Sequence, residues 1–321
     1  MAQASAARAV WVPALRLVMG LALLMLPVPV PAAVGADWRD ACEVRPPLHR
    51  PMEERTVAID TPDGQIAGTL AGPADAPPAA LVLMLHGYTG ARNEIPVAGG
   101  EGMFARAARA FAERGIASLR MDFIGSGQSD GEWADTRFSG QARDAIRGAA
   151  WLQAAHGTDV LPLGVLGYSQ GGLVALRAAA VSDPFDRMAL WNPVMDPMAT
   201  YGIIFGREQI VDGARQHGQG TSGSVVEGTR LRTGFFAELV TAEPISDAAQ
   251  SNAPILIVTG RRDPLVENGN ALAQQIAGAR TAETVILDLD AGHDLGAVNT
   301  PALLDAVISC TSDFLLGEAL K

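Results

Sequence analysis

The chain has 321 residues, 48% of them hydrophobic and 18% charged, and a net charge of −11 at pH 7. That length and apolar content suit one sizeable globular domain with room for an insertion. The acidic balance argues against nucleic acid or an anionic membrane surface as the main partner.

The N-terminus has the layout of a secretory signal. Arg8 and Arg16 precede or enter an apolar run at 17–26, and no acidic residue occurs before Asp37. Pro27, Pro29 and Pro31 end the run, and Ala32, Ala33, Gly35 and Ala36 supply small residues for cleavage after Ala36. The run is too short and proline-terminated to span a bilayer comfortably, so no stable membrane anchor is expected. Export gives the two cysteines meaning. In an oxidising compartment Cys42 and Cys310 can pair and tie the N-terminal arm to the last helix; the alternative is two unrelated buried thiols.

Residues 37–52 are proline-rich and irregular, an arm over the surface. Residues 54–59 and 65–71 read as strands joined by Thr61-Pro62-Asp63-Gly64, a strong turn sequence, and hence as a hairpin. The apolar run at 80–85 has the pattern of a strand covered on both faces. A helix is expected at 104–114, a strand at 116–123, a helix at 138–155 and a strand at 161–166. After it comes Gly167-Tyr168-Ser169-Gln170-Gly171, then a helix at 173–181 and a strand at 188–191. From 196 to 250 the alternation stops among glycines and scattered charges. It resumes with a strand at 255–259, a helix at 268–276, a strand at 284–289 and a helix at 303–316. This alternation predicts an α/β fold, a mostly parallel central sheet with helices on both faces. The interruption reads as an insertion over the carboxyl edge of that sheet, where open α/β sheets place ligands. The domain reading is therefore a signal peptide at 1–36 and one domain at 37–321, with the insertion at about 196–250.

Gly167-x-Ser169-x-Gly171 between a strand and a helix is the pattern of a nucleophile elbow, in which a sharp turn projects the serine hydroxyl. A serine needs a base, and the base an orienting acid. Of five histidines, His49 is in the arm, His86 ends a strand, His156 ends a helix and His217 lies in the insertion. His293 follows the strand at 284–289, on the same edge as Ser169, and is the chosen base. Asp263 follows the strand at 255–259 and is the chosen acid; Asp196, after the preceding strand, is its rival. Asp294 adjoins His293 too closely to bond its ring, and Asp288 and Asp290 belong to the strand. For an oxyanion, one amide is expected from Gln170 and the other from Tyr88 in the loop His86-Gly87-Tyr88-Thr89-Gly90. His86 itself reads as a hydrogen-bonder beneath that loop.

The run Leu83-Met84-Leu85-His86-Gly87-Tyr88-Thr89-Gly90-Ala91-Arg92-Asn93-Glu94 resembles the oxyanion segment of α/β-hydrolases. The run from Arg120 to Gly131, Arg120-Met121-Asp122-Phe123-Ile124-Gly125-Ser126-Gly127-Gln128-Ser129-Asp130-Gly131, resembles their D-x-x-G-x-G-x-S loop. The subgroup it is most similar to is the bacterial cinnamoyl/feruloyl esterase-like hydrolases, grouped with serine aminopeptidase-like proteins. The resemblance implies an α/β-hydrolase fold, a Ser–Asp–His hydrolase, and a lid formed by the insertion. The expected activity is cleavage of a small-molecule carboxylic ester through an acyl-enzyme. A peptidase or amidase acting on short peptides is the alternative, with Glu94, Glu238 and Glu243 as candidate grips for an α-amine. A non-catalytic binding protein on the same fold is the second. The histidines are scattered and no complete phosphate-binding glycine loop occurs, so no metal and no cofactor are expected.

Overall fold

The computed structural model describes Cys42, residues 49–157, 160–221 and 223–318, and Leu320. The signal segment expected at 1–36 lies outside the described residues. Eight strands form one sheet in the order β1-β2-β4-β3-β5-β6-β7-β8. The hairpin is β1 (Met52–Thr61) with β2 (Gly64–Pro73), antiparallel, with Thr61 opposite Gly64 across the expected turn. β2 runs antiparallel to β4 (Ile116–Met121). From β4 onward, β3 (Ala80–Leu85), β5 (Leu163–Tyr168), β6 (Arg187–Trp191), β7 (Ile255–Gly260) and β8 (Thr284–Leu289) are parallel neighbours.

The inner strands β3, β4, β5 and β7 are buried over their full length, because both sheet faces are covered there. In β3, Leu81, Leu83 and Leu85 join one core while Ala80, Val82 and Met84 join the other. The first core is closed by α2 (Phe138–Ala155), α3 (Gln170–Ser182) and α8 (Gly269–Ala279). The second is closed by α1 (Met103–Glu113) and α9 (Pro301–Leu315). A one-residue slip of any central strand would exchange the two sets, so packing fixes the register.

Topology locates the site. From β3 the chain moves through α1 to β4 on one side, then returns through α2 to β5 on the other. The carboxyl ends of β3 and β5 therefore flank the point where strand order reverses, the place where α/β sheets open a crevice.

Boundaries moved where glycine and proline misled the sequence reading. β5 runs Leu163–Tyr168, not 161–166, because Pro162 stands before the strand and gives its carbonyl to Leu81 N–H at 2.8 Å. α3 starts at Gln170, directly after Ser169, so Gly171 and Gly172 lie in its first turn. β4 ends at Met121, two residues before the expected end at Phe123. Helices occupy much of the described part of 196–250: α4 (Pro197–Phe205), α5 (Arg207–Gly218), α6 (Thr233–Leu239) and α7 (Pro244–Ala248). α7 belongs to the body, where Asp247 pairs with Arg177 of α3 at 3.0 Å.

Cys42 is bonded to Cys310, with 5.3 Å between their Cα atoms and a sequence separation of 268. Both sulfurs sit within the core under α9. Closing so long a loop restricts the unfolded chain, so Cys42→Ser with Cys310→Ser should lower the unfolding free energy by about 2–4 kcal/mol. Urea unfolding with and without reductant reads this; superimposable curves would contradict it.

Candidate active site

Ser169 occupies the turn between β5 and α3 with φ 52° and ψ −116°, a backbone conformation that costs a non-glycine residue about 1–3 kcal/mol. Its neighbours hold it there. Ser169 N–H donates to Trp191 O at 2.9 Å, and Ser169 O accepts Val194 N–H at 3.0 Å. The flanking glycines are sterically required. A Cβ on Gly171 would lie 2.0 Å from Leu85 O, and one on Gly167 would lie 2.5 Å from Gly171 O.

Two hydrogen bonds run from the serine into the protein. Ser169 Oγ lies 3.0 Å from His293 Nε2, and His293 Nδ1 lies 2.7 Å from Asp263 Oδ2. Asp263 Oδ1 accepts Leu265 N–H at 2.8 Å and Val266 N–H at 2.9 Å. Burial pushes the Asp263 carboxyl up. The hydrogen bond and charge of His293, with those two amides, outweigh it and hold the group below its ordinary value. An ionised Asp263 can only accept, so the proton sits on Nδ1 and Nε2 keeps its lone pair toward Oγ. The rival acid, Asp196, instead caps α4, accepting Ala199 N–H at 3.0 Å. Asp294 accepts Val298 N–H at 3.0 Å and steadies its own loop.

The loop after β3 approaches from the other side. A Cβ on Gly87 would lie 3.3 Å from Ser169 Cβ, so this backbone touches the serine directly. Gly87 O accepts from His86 Nδ1–H at 2.9 Å and from Gly90 N–H at 3.1 Å. His86 Nε2 in turn accepts Phe123 N–H at 3.2 Å, and burial lowers the ring's pKa, keeping it neutral. In a planar trans peptide the N–H points opposite to the C=O. With Gly87 O held from below, the Tyr88 N–H faces away from those donors. Among the described residues, neither the Tyr88 nor the Gln170 amide donates to a protein acceptor.

Further contacts brace this loop. Asp122 accepts Arg92 N–H at 2.7 Å and Gln128 N–H at 2.9 Å, and pairs with the Arg92 guanidinium. The D-x-x-G-x-G-x-S segment is thus an anchor for the loop after β3, and Gly127 leaves it room: a Cβ there would lie 2.3 Å from Asp122 Cγ. Arg120 Nη1 donates to Asn93 Oδ1 at 2.7 Å. Glu94 accepts Gly87 N–H, and burial pushes its carboxyl up to about 7 against the pull of that amide.

The cleft above Ser169 has a volume of about 520 Å³ and is lined by Tyr88, Glu94, Val194, Tyr201, Ile204 and Leu265, among others. The Tyr88 ring packs among Trp133, Tyr201, Phe205 and Phe235, with centroids 5.3–6.3 Å away. Three of those four come from the insertion. Tyr201 also donates its hydroxyl to Gln170 Oε1, while Gln170 Nε2 donates to Gln141 Oε1 at 2.7 Å. Of the three acids offered as amine grips, Glu94 alone lines the cleft. Glu238 is engaged by the Ser139 amide at 2.8 Å and hydroxyl at 2.5 Å, and Glu243 is exposed at the start of α7. Sequence reading missed Tyr201, Gln141 and Asn192, whose roles depend on contacts between distant elements.

The family model described as serine aminopeptidase, S33, matches residues 76–211. Est1E of Butyrivibrio proteoclasticus, in a structure with ferulic acid bound, is similar at 22% identity. The match covers 82% of this chain and 98% of that one, with a TM-score of 0.61. A Pyrococcus furiosus esterase is similar at 20% identity over 82% of this chain and 91% of its own, with a TM-score of 0.59. An Escherichia coli protein, an uncharacterized 31.7 kDa protein of the traX-finO intergenic region, is 25% identical over 61% of this chain and 78% of its own length.

The raised carboxyl of Glu94 has a consequence for stability. Its folded value of about 7 exceeds its ordinary value, so the folded state binds that proton more tightly than the unfolded chain does. The contribution is complete at acid pH and is lost as pH rises toward about 7. Glu94→Gln removes the titration, and should gain about 1–3 kcal/mol on the wild type between about pH 5 and about pH 8. Urea unfolding at both pH values measures this, and a gap independent of pH would contradict it.

Proposed function

We propose, from the premise that the chain is an α/β-hydrolase, that it is an exported serine hydrolase cleaving small-molecule carboxylic esters through an acyl-enzyme. The observation that carries this reading is the hydrogen-bonded series Ser169–His293–Asp263, at 3.0 Å and 2.7 Å. His293 Nε2 takes the Ser169 proton as Oγ attacks the ester carbonyl carbon. The electron pair of the C=O bond moves to oxygen, where the Tyr88 and Gln170 amides meet it. Such a donor is worth about 3–4 kcal/mol in the transition state. α3 adds its dipole, since Gln170 is its first residue.

Collapse of the tetrahedral species breaks the C–O bond, and His293 returns its proton to the departing alkoxide. A water then repeats the sequence on the acyl-enzyme and releases the acid and Ser169. Asp263 stays ionised throughout, stabilising the imidazolium without taking its proton. The cleft volume suits a small ligand, and its apolar lining suits an acyl or aryl group. The insertion, through Tyr201 and Ile204, acts as the lid that shapes this cleft.

Export is supported by the layout of residues 1–36 and by the Cys42–Cys310 bond, since disulfides persist in oxidising compartments. No helix among the described residues is long and apolar enough to cross a membrane. A second reading, cleavage of short peptides bearing a free amine, draws on Glu94 in the cleft wall and on the matched family's description.

p-Nitrophenyl esters of rising chain length, methyl ferulate and aminoacyl anilides separate these readings. Turnover of esters with silent anilides is expected; the reverse favours the peptidase. Ser169→Ala should lower kcat by about 10⁴-fold or more with folding intact. Retention of near wild-type turnover would sink the assignment. Asp263→Asn should cost about 10⁴-fold, whereas Asp196→Asn should leave kcat nearly unchanged. If Asp196→Asn were the more damaging, the acid is misassigned.

A further inference from the structure

The chemistry proposed above needs Ser169 and His293, carried by loops 124 residues apart, to meet at 3.0 Å. One short stretch at the end of β6 and just beyond it, residues 191–194, is bonded to both. Its backbone grips the serine: Ser169 N–H donates to Trp191 O at 2.9 Å and Val194 N–H donates to Ser169 O at 3.0 Å. Pro193 lies so close to Gly172 that a Cβ there would be 2.5 Å from Pro193 Cβ. The stretch is thus seated against the elbow on two sides.

Asn192, in the middle, reaches the opposite way. Its Nδ2 donates to His293 O at 2.9 Å and to Gly292 O at 3.1 Å. Its Oδ1 accepts Gly260 N–H at 2.7 Å. Gly260 ends β7, and its carbonyl accepts Asp263 N–H at 3.1 Å, so the same side chain reaches the segment that carries the acid. These partners fix the amide's orientation, because exchanging O and N would set oxygen against two carbonyls. Asn192 is 1% exposed and absent from the cleft lining. Its φ of 41° lies in the left-handed region that asparagine and glycine tolerate.

A buried asparagine needed only for the turn after β6 has no call for three bonds into other loops. We infer that Asn192 is a positioning residue: it sets the His293 ring against Ser169 and Asp263 because its side chain ties the histidine loop and the end of β7 to the backbone stretch that holds the serine. The backbone of 191–194 fixes the serine, the Nδ2 bonds fix the histidine loop, and the Oδ1 bond fixes the end of β7. Tyr168, whose hydroxyl donates to His293 O at 3.2 Å, reinforces one of these ties but reaches neither Gly292 nor Gly260. The inference rests on the serine-hydrolase reading above.

Asn192→Gly tests it, because glycine adopts the same backbone conformation without strain and only the side chain is lost. Asn192→Asp keeps the acceptor for Gly260 but sets a carboxylate oxygen against two carbonyls, and carries the same test should the glycine variant not fold. Thermal unfolding, kcat and KM on a p-nitrophenyl ester, the pH profile of kcat, and the downfield proton resonance of His293 Nδ1–H are measured on each. Folded variants are expected with kcat lower by about 10- to 100-fold, KM within about twofold, a displaced acid limb and a broadened or absent resonance. Wild-type kcat, or a kcat that falls only with the folded fraction while the resonance persists, overturns the inference. Ser169→Ala run alongside separates the two levels. An active Ser169→Ala defeats the serine reading itself, whereas an inactive one beside a fully active Asn192→Gly defeats the role of Asn192 alone.

Discussion

The carboxyl end of β3 and the first turn of α3 cross at a distance that leaves no space for a side chain. A Cβ on Gly171 would sit 2.0 Å from Leu85 O and 2.8 Å from His86 O. Because the two backbones meet there, the loop that follows β3 is pressed against the residue that precedes α3. That residue is Ser169, held at φ 52° by bonds from its N–H to the last residue of β6 and from its C=O to the chain just beyond. Strain of this kind persists only where surrounding structure over-determines it. Here the surroundings are the parallel strands β3, β5 and β6, buried except at Arg187, and the glycines that let the backbones pass.

Electrostatics is arranged around the same crossing. Asp263 is buried yet ionised, because His293 and two backbone amides compensate for its lost hydration. Among the described residues Glu94 is compensated by one amide, that of Gly87, so burial prevails and its carboxyl rises to about 7. Asp144, whose carboxylate accepts Ile124 N–H at 3.0 Å, is pushed up to about 6 by the same cause. The carboxyl bonded to His293 is thus held in the form that orients its ring. Glu94, under the loop after β3, is disposed toward neutrality by its burial.

Much of the fold was legible because strands buried on both faces write a continuous apolar run, as 80–85 does. The order Ser169, Asp263, His293 was legible because each follows a strand, and parallel strands bring their carboxyl ends to one edge. The structure puts these three within hydrogen-bonding distance of one another in series. Where local signals conflicted with packing, the sequence misled. Gly171 and Gly172 read as breakers before a helix but are its first turn, since the crossing demands glycine there. α4 has no one-sided apolar stripe, with Ile203 50% exposed beside a fully buried Tyr201, so no periodicity announced it. Asn192 sits in an Asn-Pro pair that reads as an ordinary turn, and its three partners lie 68 to 101 residues away.

The central claim is that this crossing produces an activated serine. A fluorophosphonate reacts covalently with a serine only when a base removes its proton, so labelling followed by proteolysis and mass spectrometry of the adduct addresses that claim most directly. The account expects one phosphonylated site, Ser169, with labelling abolished in His293→Ala. Ester turnover without an adduct at Ser169, or an adduct on another serine that tracks activity, would contradict it.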